Sequence, residues 1–366
     1  MNTRRDFLSS GAALAAPAFL SAQSPNDAVR VAVIGVGNRG AYLLRHILNV
    51  PKVQIVALCD LDAERLSAAE KAASAKGHKP ATYTDFRKML DQRKDIDAVL
   101  VATPVDTHKG IAIAALEVGK HVYCEKPLAV EPADARLITM AAKNAKGIFQ
   151  AGFQLRHDPN RNAAMKYLHS GALGNVLYAH GTRHTGDLPR QTGWYFDRVR
   201  SGDNIVEQAC HILDLFVWAI GKPPLRAFGS GGINLYKNVP PGRTTMDNYS
   251  VIYEFPDGVR MNFSHIYFDP AGFSGIKERV WGEKGAIDLA TATWSALGQK
   301  GENKLAVENE GKDSTYLSLE AFVDNARAKR KPLNNAESAQ LSTLVAMMGR
   351  RSIYEKRIVT WEEMNA

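Results

Sequence analysis

A glycine-rich loop between a strand and a helix constrains this chain more than any other feature. Residues 29–34 (VRVAVI) are mostly apolar, as is typical of a strand buried in a parallel sheet. GVGNRG follows, and apolar side chains then recur at helical spacing from Tyr42 to Leu48. In this setting, glycines allow a tight turn and a close approach of the backbone to a pyrophosphate at the helix N-terminus. We therefore expect a dinucleotide to contact the loop residues Gly35, Gly37, Asn38, Arg39 and Gly40.

A second buried-strand pattern begins at Val53 and reaches acidic residues at Asp60 and Asp62. Asp60 lies 20 residues after Gly40, where a carboxylate meets the adenine ribose hydroxyls and repels a 2′-phosphate. This position favours NAD over NADP as the cofactor. The alternative is that Asp60 or Asp62 only caps the helix that follows.

Strand and helix patterns continue to alternate, which predicts an α/β Rossmann domain with a doubly wound parallel sheet over residues 28–150. Ligands bind beyond the carboxyl ends of the strands in such sheets. The sequences ATP (102–104) and EKP occupy two such ends, so we expect Glu125 and Lys126 to face the crevice. Pro127 cannot continue the strand pairing, and the peptide bond before it could be cis.

Residues 151–366 combine several strand-like runs with a C-terminal stretch that is helical by pattern. PDG at 256–258 predicts a hairpin between two of these strands. The segment SGDNIVEQACHILDLFVWAIG predicts one helix that Asp203 or Asn204 caps and that Gly221 ends. The second domain is therefore expected to be α+β.

Taken together, the glycine loop, Asp60, ATP with His108 after it, and YCEKPLAV resemble the glucose-fructose oxidoreductase, inositol dehydrogenase and rhizopine-catabolism family. The resemblance extends over nearly the whole chain beyond residue 22, and EKP at a strand end is its specific part. It implies an enzyme that uses NAD(P) on hydroxyls of sugars, polyols or related cyclic alcohols. It also implies an open, mainly antiparallel sheet in the second domain, through which homodimers or homotetramers form.

The resemblance also assigns roles to single residues. Lys126 is expected to contact the reacting hydroxyl and the nicotinamide side of the site, and His211 takes the catalytic histidine position. Gln154 and Arg156 occupy polar positions beside the cofactor and the substrate. The cofactor contacts implied beyond the glycine loop and Asp60 are Thr103, Pro104, His108, Glu125, Lys126 and Gln154.

Glu207 departs from the family pattern, which usually has an aspartate four residues before the histidine. Glu207 and His211 share one face of a helix, and Glu207 is expected either to orient His211 or to touch the substrate directly. With Asp214 three residues further on, the set could instead bind a metal ion. We predict no metal, because a nearby Lys126 would oppose a dication.

Two aromatic residues precede this segment, Trp194 and Tyr195. They are candidates for stacking on a sugar ring in the substrate site. Packing between the domains explains them equally well.

The N-terminal segment, residues 1–22, resembles a twin-arginine export signal, with Arg4 and Arg5 before a mild apolar run. That run is too short to span a bilayer, so the mature chain is expected to have no stable membrane span. We expect the export machinery as a partner and a periplasmic or otherwise exported location. Since this route carries folded proteins, the cofactor is expected to be loaded beforehand and retained tightly.

Composition excludes some other classes of protein. The net charge of +8 over 366 residues is spread along the chain and accompanies no nucleic-acid-binding motif. The cysteines, Cys59, Cys124 and Cys210, sit in apolar segments without a CxxC pair and are interpreted as buried thiols.

The leading hypothesis is an exported dehydrogenase in which His211 accepts the hydroxyl proton and Lys126 polarises or relays it. One alternative is an NAD-dependent glycosidase that oxidises a sugar transiently, eliminates the glycosidic bond and is then re-reduced. A less favoured alternative is a non-catalytic sugar sensor that holds the cofactor.

Overall fold

The computed structural model describes residues 28–191, 193–273 and 275–365. The segment predicted as an export signal, residues 1–22, lies outside the described residues. Two sheets organise the described chain, one of six strands and one of nine. No helix in the described ranges combines the length and the apolar character that crossing a membrane requires.

The first sheet is wholly parallel, and its strands follow the order β3–β2–β1–β4–β5–β6. The strand order reverses at β1, which places a ligand crevice beyond the carboxyl ends of β1 and β4. The predicted doubly wound Rossmann fold is confirmed. Its elements are β1 (Val29–Ile34), α1 (Asn38–Ile47), β2 (Val53–Cys59), α2 (Ala63–Ser74), β3 (Ala81–Tyr83), α3 (Phe86–Gln92), β4 (Ala98–Val101), α4 (His108–Glu117), β5 (His121–Cys124), α5 (Pro132–Asn144) and β6 (Phe149–Ala151).

The second sheet runs in the order β14–β13–β12–β11–β7–β10–β9–β8–β15. Only β7 and β10 are parallel among its paired strands, so the predicted mainly antiparallel sheet is confirmed. Its strands are β7 (Val176–His184), β8 (Arg226–Gly232), β9 (Asn248–Glu254), β10 (Arg260–Ile266), β11 (Gly275–Gly282), β12 (Gly285–Asp288), β13 (Thr293–Ala296), β14 (Asn303–Lys304) and β15 (Val359–Thr360). The accompanying helices are α6 (Pro159–His169), α7 (Arg198–Ser201), α8 (Asp203–Glu207), α9 (Cys210–Ile220), α10 (Ser314–Ala328), α11 (Ala336–Glu355) and α12 (Trp361–Asn365).

The two faces of the second sheet differ in what covers them. Helices α9 and α11 pack on one face, and α11 also packs against α5 of the first domain. The other face is left open by the described residues and carries exposed apolar side chains such as Phe228 and Ile252, 49% and 45% exposed. The predicted hairpin at 256–258 connects β9 and β10.

The single helix predicted across 203–221 is interrupted. A turn at Gln208 and Ala209 separates α8 from α9, while Gly221 ends α9 in the left-handed conformation as predicted. Gly202, with φ of 78°, precedes α8 in place of the predicted cap. The reason is tertiary, because the buried Asp203 carboxylate accepts hydrogen bonds from the Met246 N–H and the Tyr354 hydroxyl.

Helix α10 crosses back to the first domain. Its Leu319, Phe322 and Val323 are buried in the core around Val31 of β1 and Leu44 of α1. The division predicted between residues 28–150 and 151–366 stays a prediction, and this helix of the second segment completes the Rossmann layer of the first. Sequence pattern identified the helix but not the sheet that it covers.

The three cysteines are free and buried, as expected from their apolar segments. Cys59 ends β2, Cys124 ends β5, and Cys210 opens α9.

Candidate functional site

A cleft of about 1450 Å³ lies beyond the carboxyl ends of the parallel strands. One wall is formed by the glycine loop and by the strand ends that follow β2, β4 and β5. The opposite wall comes from the second domain, through β7, the segment around Trp194 and the α8–α9 turn. The site therefore has a wall from each domain.

The glycine loop makes a tight contact with the neighbouring strand end. Gly35 has φ of 83°, and a Cβ there would lie 2.7 Å from the Ala102 carbonyl oxygen. A Cβ at Gly40 would lie 1.8 Å from the Gly35 oxygen, so neither position accepts a side chain. No side chain of the described residues caps α1 at Gly37, which leaves the first-turn N–H groups without a side-chain acceptor there. This cradle fits a dinucleotide pyrophosphate.

Asp60 and Asp62 have different roles. The Asp62 carboxylate accepts hydrogen bonds from the Glu64 and Arg65 N–H groups and caps α2. Asp60 lines the cleft and accepts from the Val36 N–H at 2.7 Å and the Asp62 N–H at 2.9 Å. Each Asp60 oxygen keeps capacity for a second hydrogen bond, so its contact with the adenine ribose remains a prediction consistent with the geometry.

His108 is buried between two strand ends. Its Nδ1 lies 2.9 Å from the Pro127 carbonyl oxygen and its Nε2 lies 3.0 Å from that of Thr103. Burial lowers the pKa of His108, although the two carbonyl oxygens act in the opposite direction because they favour the protonated ring. The neutral ring has one N–H and donates to one of these two carbonyl oxygens, so the side chain links the two strand ends. His108, Thr103 and Pro104 all line the cleft, and the cofactor contact expected for each of them stays a prediction.

The neighbours Glu125 and Lys126 take partners from different segments. Glu125 is buried and accepts a hydrogen bond from Arg39 Nε at 2.7 Å. Lys126 Nζ lies 2.9 Å from Glu207 Oε1 and also donates to the Glu207 carbonyl oxygen. Both side chains line the cleft as expected, and the Lys126–Pro127 bond is cis.

Lys126 carries an ammonium group at neutral pH. Burial acts to lower its pKa, but the negative charge of Glu207, with a smaller contribution from Glu125, raises the pKa above the ordinary value. The side chain is thus a fixed positive charge in the cleft, with a carboxylate that keeps it protonated.

His211 lies in the first turn of α9, with its ring edge-on to Phe153. Within the described residues its buried Nδ1 has no hydrogen-bond partner. Burial, with the charges of Lys126 and Arg39 next in size, holds the pKa of His211 well below its usual value. The ring is therefore neutral and able to accept a proton from a ligand. Glu207 bonds to Lys126 and not to His211.

Arg156 is not among the residues that line the cleft, so its substrate contact stays a prediction that this geometry does not favour. Its Nε and Nη2 donate to the two Asp214 oxygens at 2.8 and 2.6 Å. The Ser342 hydroxyl donates to the same carboxylate at 2.6 Å. Both oxygens of Asp214 are therefore occupied by donors from Arg156 and Ser342. Within the described ranges, Glu207 and His211 do not form a metal-binding group with Asp214.

Trp194 and Tyr195 have different environments, since Tyr195 packs in the core and Trp194 is more exposed to the cleft. Tyr195 is buried, packs edge-on against Phe196, and its hydroxyl lies 3.3 Å from that of Tyr267. Trp194 is only partly buried and lines the cleft beside Tyr195. Trp194 is the better placed of the two to stack on a sugar ring.

Several polar groups of the cleft await a partner. The buried Gln154 Oε1 and Arg39 Nη2 make no hydrogen bond within the described ranges. With the glycine cradle and Asp60, these groups would hold NAD. Sequence reasoning did not single out two further lining residues of the second domain, Gln191 and Gln208. Gln208 lies beside Glu207 at a position that carries no motif. Arg183 also lines the cleft, and it belongs to the segment 183–190, which the sequence predicts as a loop over the pocket.

Comparison with known proteins matches two consecutive parts of the chain to one family. Residues 29–153 match the GFO/IDH/MocA oxidoreductase family with an NAD-binding Rossmann fold, and residues 162–288 match the GFO/IDH/MocA C-terminal domain. Myo-inositol 2-dehydrogenase of Thermotoga maritima is 26% identical over 343 residues, covering 92% of this chain and 99% of that protein. A glycosyl hydrolase family 109 protein of Saccharopolyspora erythraea is 35% identical over 162 residues, 43% of this chain and 35% of that protein.

A solved structure of levoglucosan dehydrogenase in complex with NADH shares the fold, with a TM-score of 0.79 and 20% identity. The match covers 91% of this chain and 98% of that one. The two consecutive family matches include both walls of the cleft. The chain belongs to the GFO/IDH/MocA family of NAD-binding oxidoreductases.

Proposed function

We propose that this protein is a dehydrogenase that oxidises a hydroxyl of a sugar, a sugar derivative or a glycoside. One observation carries the proposal: His211 and a charged Lys126 line the same cleft as the glycine cradle, and the neutral His211 ring has an Nδ1 without a partner among the described residues. A base and a fixed positive charge are the two groups that alcohol oxidation requires of the protein.

When bound, NAD supplies the acceptor for the hydride. His211 accepts the proton of the reacting hydroxyl, which its low pKa leaves it free to do at neutral pH. Lys126 donates a hydrogen bond to the same oxygen and stabilises the negative charge that develops there. Glu207 keeps Lys126 protonated and fixes the direction of its ammonium group.

The direct test is NADH formation with a panel of sugars, polyols and glycosides. The wild type is expected to reduce NAD with at least one of them, and His211→Ala is expected to lose turnover while keeping NAD binding. Cofactor-loaded wild type that reduces no NAD with any member of the panel would contradict the proposal.

The glycosidase remains the second candidate, because the family 109 relative has the higher identity over the part that it covers. The same base and ammonium group suit an oxidation that is reversed after elimination of the glycosidic bond. Release of an aglycone without net NADH formation distinguishes this reaction from dehydrogenation. The sensor hypothesis is less favoured, because Lys126 and His211 are both in place.

Export and tight retention of the cofactor belong to the same proposal. They are supported by Arg4, Arg5 and the short apolar run, which lie outside the described residues. Asp60 favours NAD over NADP. Protein recovered from periplasm is expected to carry NAD through gel filtration, and Arg4→Lys with Arg5→Lys is expected to leave loaded protein in the cytoplasm.

A homodimer or homotetramer is proposed through the open face of the second sheet. Exposed Phe228 and Ile252 on that face support it. Sedimentation of the wild type and of the double variant Phe228→Asp with Ile252→Asp tests the assembly.

A further inference from the structure

Arg183 differs from the other positive charges around the catalytic end of the cleft. Lys126 is paired with Glu207, Arg39 with Glu125, and Arg200 with Asp106. Arg183 also lines the cleft, yet no carboxylate of the described chain lies within ion-pairing distance of it. Since Lys126 and Glu207 offset each other, Arg183 leaves this end of the cleft with an uncompensated positive charge.

Neutral groups hold the Arg183 guanidinium in place. Its Nε donates to Gln208 Oε1 at 3.2 Å, and the same oxygen accepts from the Tyr267 hydroxyl at 2.6 Å. The Tyr267 hydroxyl lies 3.3 Å from that of Tyr195. The two terminal nitrogens of Arg183 make no hydrogen bond to the described residues, so they are free to bind a ligand. This chain of contacts orients the guanidinium before any ligand arrives.

Arg183 belongs to the substrate side and not to the adenine side. Its charge is one of those that act on His211, and Gln208 is the immediate neighbour of Glu207. The adenine side is set by Asp60, beyond the glycine loop. A ligand group on Arg183 therefore comes from the molecule that is oxidised.

A guanidinium presents a planar fork of N–H donors that matches a carboxylate with two parallel hydrogen bonds. A phosphate dianion carries about two charges, whereas this end offers one unpaired cation. We infer that the substrate is an acidic sugar whose carboxylate, at a carbon other than the one oxidised, binds Arg183. This inference rests on the proposed dehydrogenase function and names its substrate class.

The experiment compares sugars that differ only in the acidic group. NADH formation is measured with glucuronate against glucose, galacturonate against galactose, and glucose 6-phosphate as the phosphate arm. We expect at least one uronate to exceed its neutral counterpart by about tenfold to a hundredfold in kcat/KM, as for a charge-assisted hydrogen-bonded pair. Arg183→Gln should abolish that preference, measured as the ratio of kcat/KM for the uronate to kcat/KM for its neutral counterpart, and Arg183→Lys should keep part of it.

The exposed Arg330, which does not line the cleft, provides the matched control, since Arg330→Gln removes the same charge and should change nothing. Calorimetric binding of the uronate to NADH-loaded protein gives a second readout, with binding expected in the wild type and lost in Arg183→Gln. Thermal unfolding verifies that the variants are folded.

Three results would overturn the inference: equal use of acidic and neutral sugars, an acid preference that survives in Arg183→Gln, or a phosphorylated sugar as the best substrate. If no sugar reduces NAD, the proposed dehydrogenase function fails, and calorimetry then decides separately about Arg183. Uronate binding that requires Arg183 would support the site, and absence of uronate binding would refute it.

Discussion

Two cation–carboxylate pairs connect the same parts of the chain and differ in how fully their hydrogen-bonding capacity is used. Lys126, after β5, binds Glu207 at the end of α8, while Arg156, after β6, binds Asp214 in α9. Lys126 and Glu207 keep 10% and 15% of their side chains exposed, against 5% and 0% for Arg156 and Asp214. The first pair opens on the cleft, and the second is sealed.

The difference teaches what each pair can do. Arg156 engages both oxygens of Asp214, and Ser342 adds a third donor to the same carboxylate. The ammonium of Lys126 has three N–H donors and uses them on Glu207 alone within the described residues, so it can still take a ligand oxygen. A saturated pair fixes the junction of the domains, and an unsaturated one serves the reaction.

The largest effect is expected from Lys126→Met, which breaks the open pair. Turnover should fall by about 10²–10⁴-fold, because the reacting oxygen loses its charged donor. The free energy of unfolding should change little, since Glu207 keeps contact with water. Stopped-flow measurement of NADH formation tests the turnover, and chemical denaturation tests the stability. A variant within threefold of wild-type turnover would show that Lys126 has no part in the mechanism.

Arg156→Met is expected to have the opposite effects, with a large loss of stability and little change in turnover. It leaves Asp214 buried without its cation, so the free energy of unfolding should fall by about 3–5 kcal/mol. Turnover per folded molecule should stay near that of the wild type. The matched double variant, Arg156→Met with Asp214→Leu, should recover much of the lost stability in urea titrations. A stable but inactive Arg156→Met protein would instead return Arg156 to the substrate site.

Glu207→Gln removes the negative charge from the Lys126–Glu207 pair and keeps the size and shape of the side chain. Since Glu207 raises the pKa of Lys126 and burial lowers it, removal of the carboxylate should lower that pKa. The ammonium is then lost at a lower pH, and the alkaline limb of the pH–rate profile should move down by about one unit, with roughly tenfold slower turnover above it. Glu207→Asp keeps the charge and is the matched control. An unchanged alkaline limb would show that Glu207 does not set the charge of Lys126.

The smallest effect is expected from Ser342→Ala in the sealed pair. Asp214 loses one of its three hydrogen bonds, which should lower the free energy of unfolding by about 1 kcal/mol. Kinetic constants should match the wild type. A clear change in kcat would mean that the sealed pair communicates with the cleft.

Local rules of the chain predicted some features well. Gly40 is required by a backbone contact with Gly35 within one strand–helix unit, and Lys126 follows the end of a strand that the sequence pattern identified. These inferences needed only patterns that lie close together in sequence. The same holds for the hairpin at 256–258 and for the glycine that ends α9.

Pairings between distant segments escaped prediction. Lys126 and Glu207 are 81 residues apart, and Arg156 and Asp214 are 58 apart. The helical face that was predicted to join Glu207 to His211 is broken by the α8–α9 turn. With the helix broken, the partners of Glu207 and Asp214 are determined by the charges and the space around them in the folded chain. Residue spacing along the sequence does not predict such pairings.

Helix α10 has a consequence for the order in which the molecule is made. Arg39, in the first turn of α1, lies 3.4 Å from the Thr315 hydroxyl, and Tyr42 donates to Asp313 at 2.8 Å. The glycine loop therefore leaves the ribosome early in synthesis, whereas Asp313 and Thr315, which support it, leave the ribosome near the end. A chain cut short at residue 150 would leave the β1–α1 surface without Leu319 and Phe322. The nucleotide pocket of the nascent chain is thus completed last, after most of the second domain has been translated.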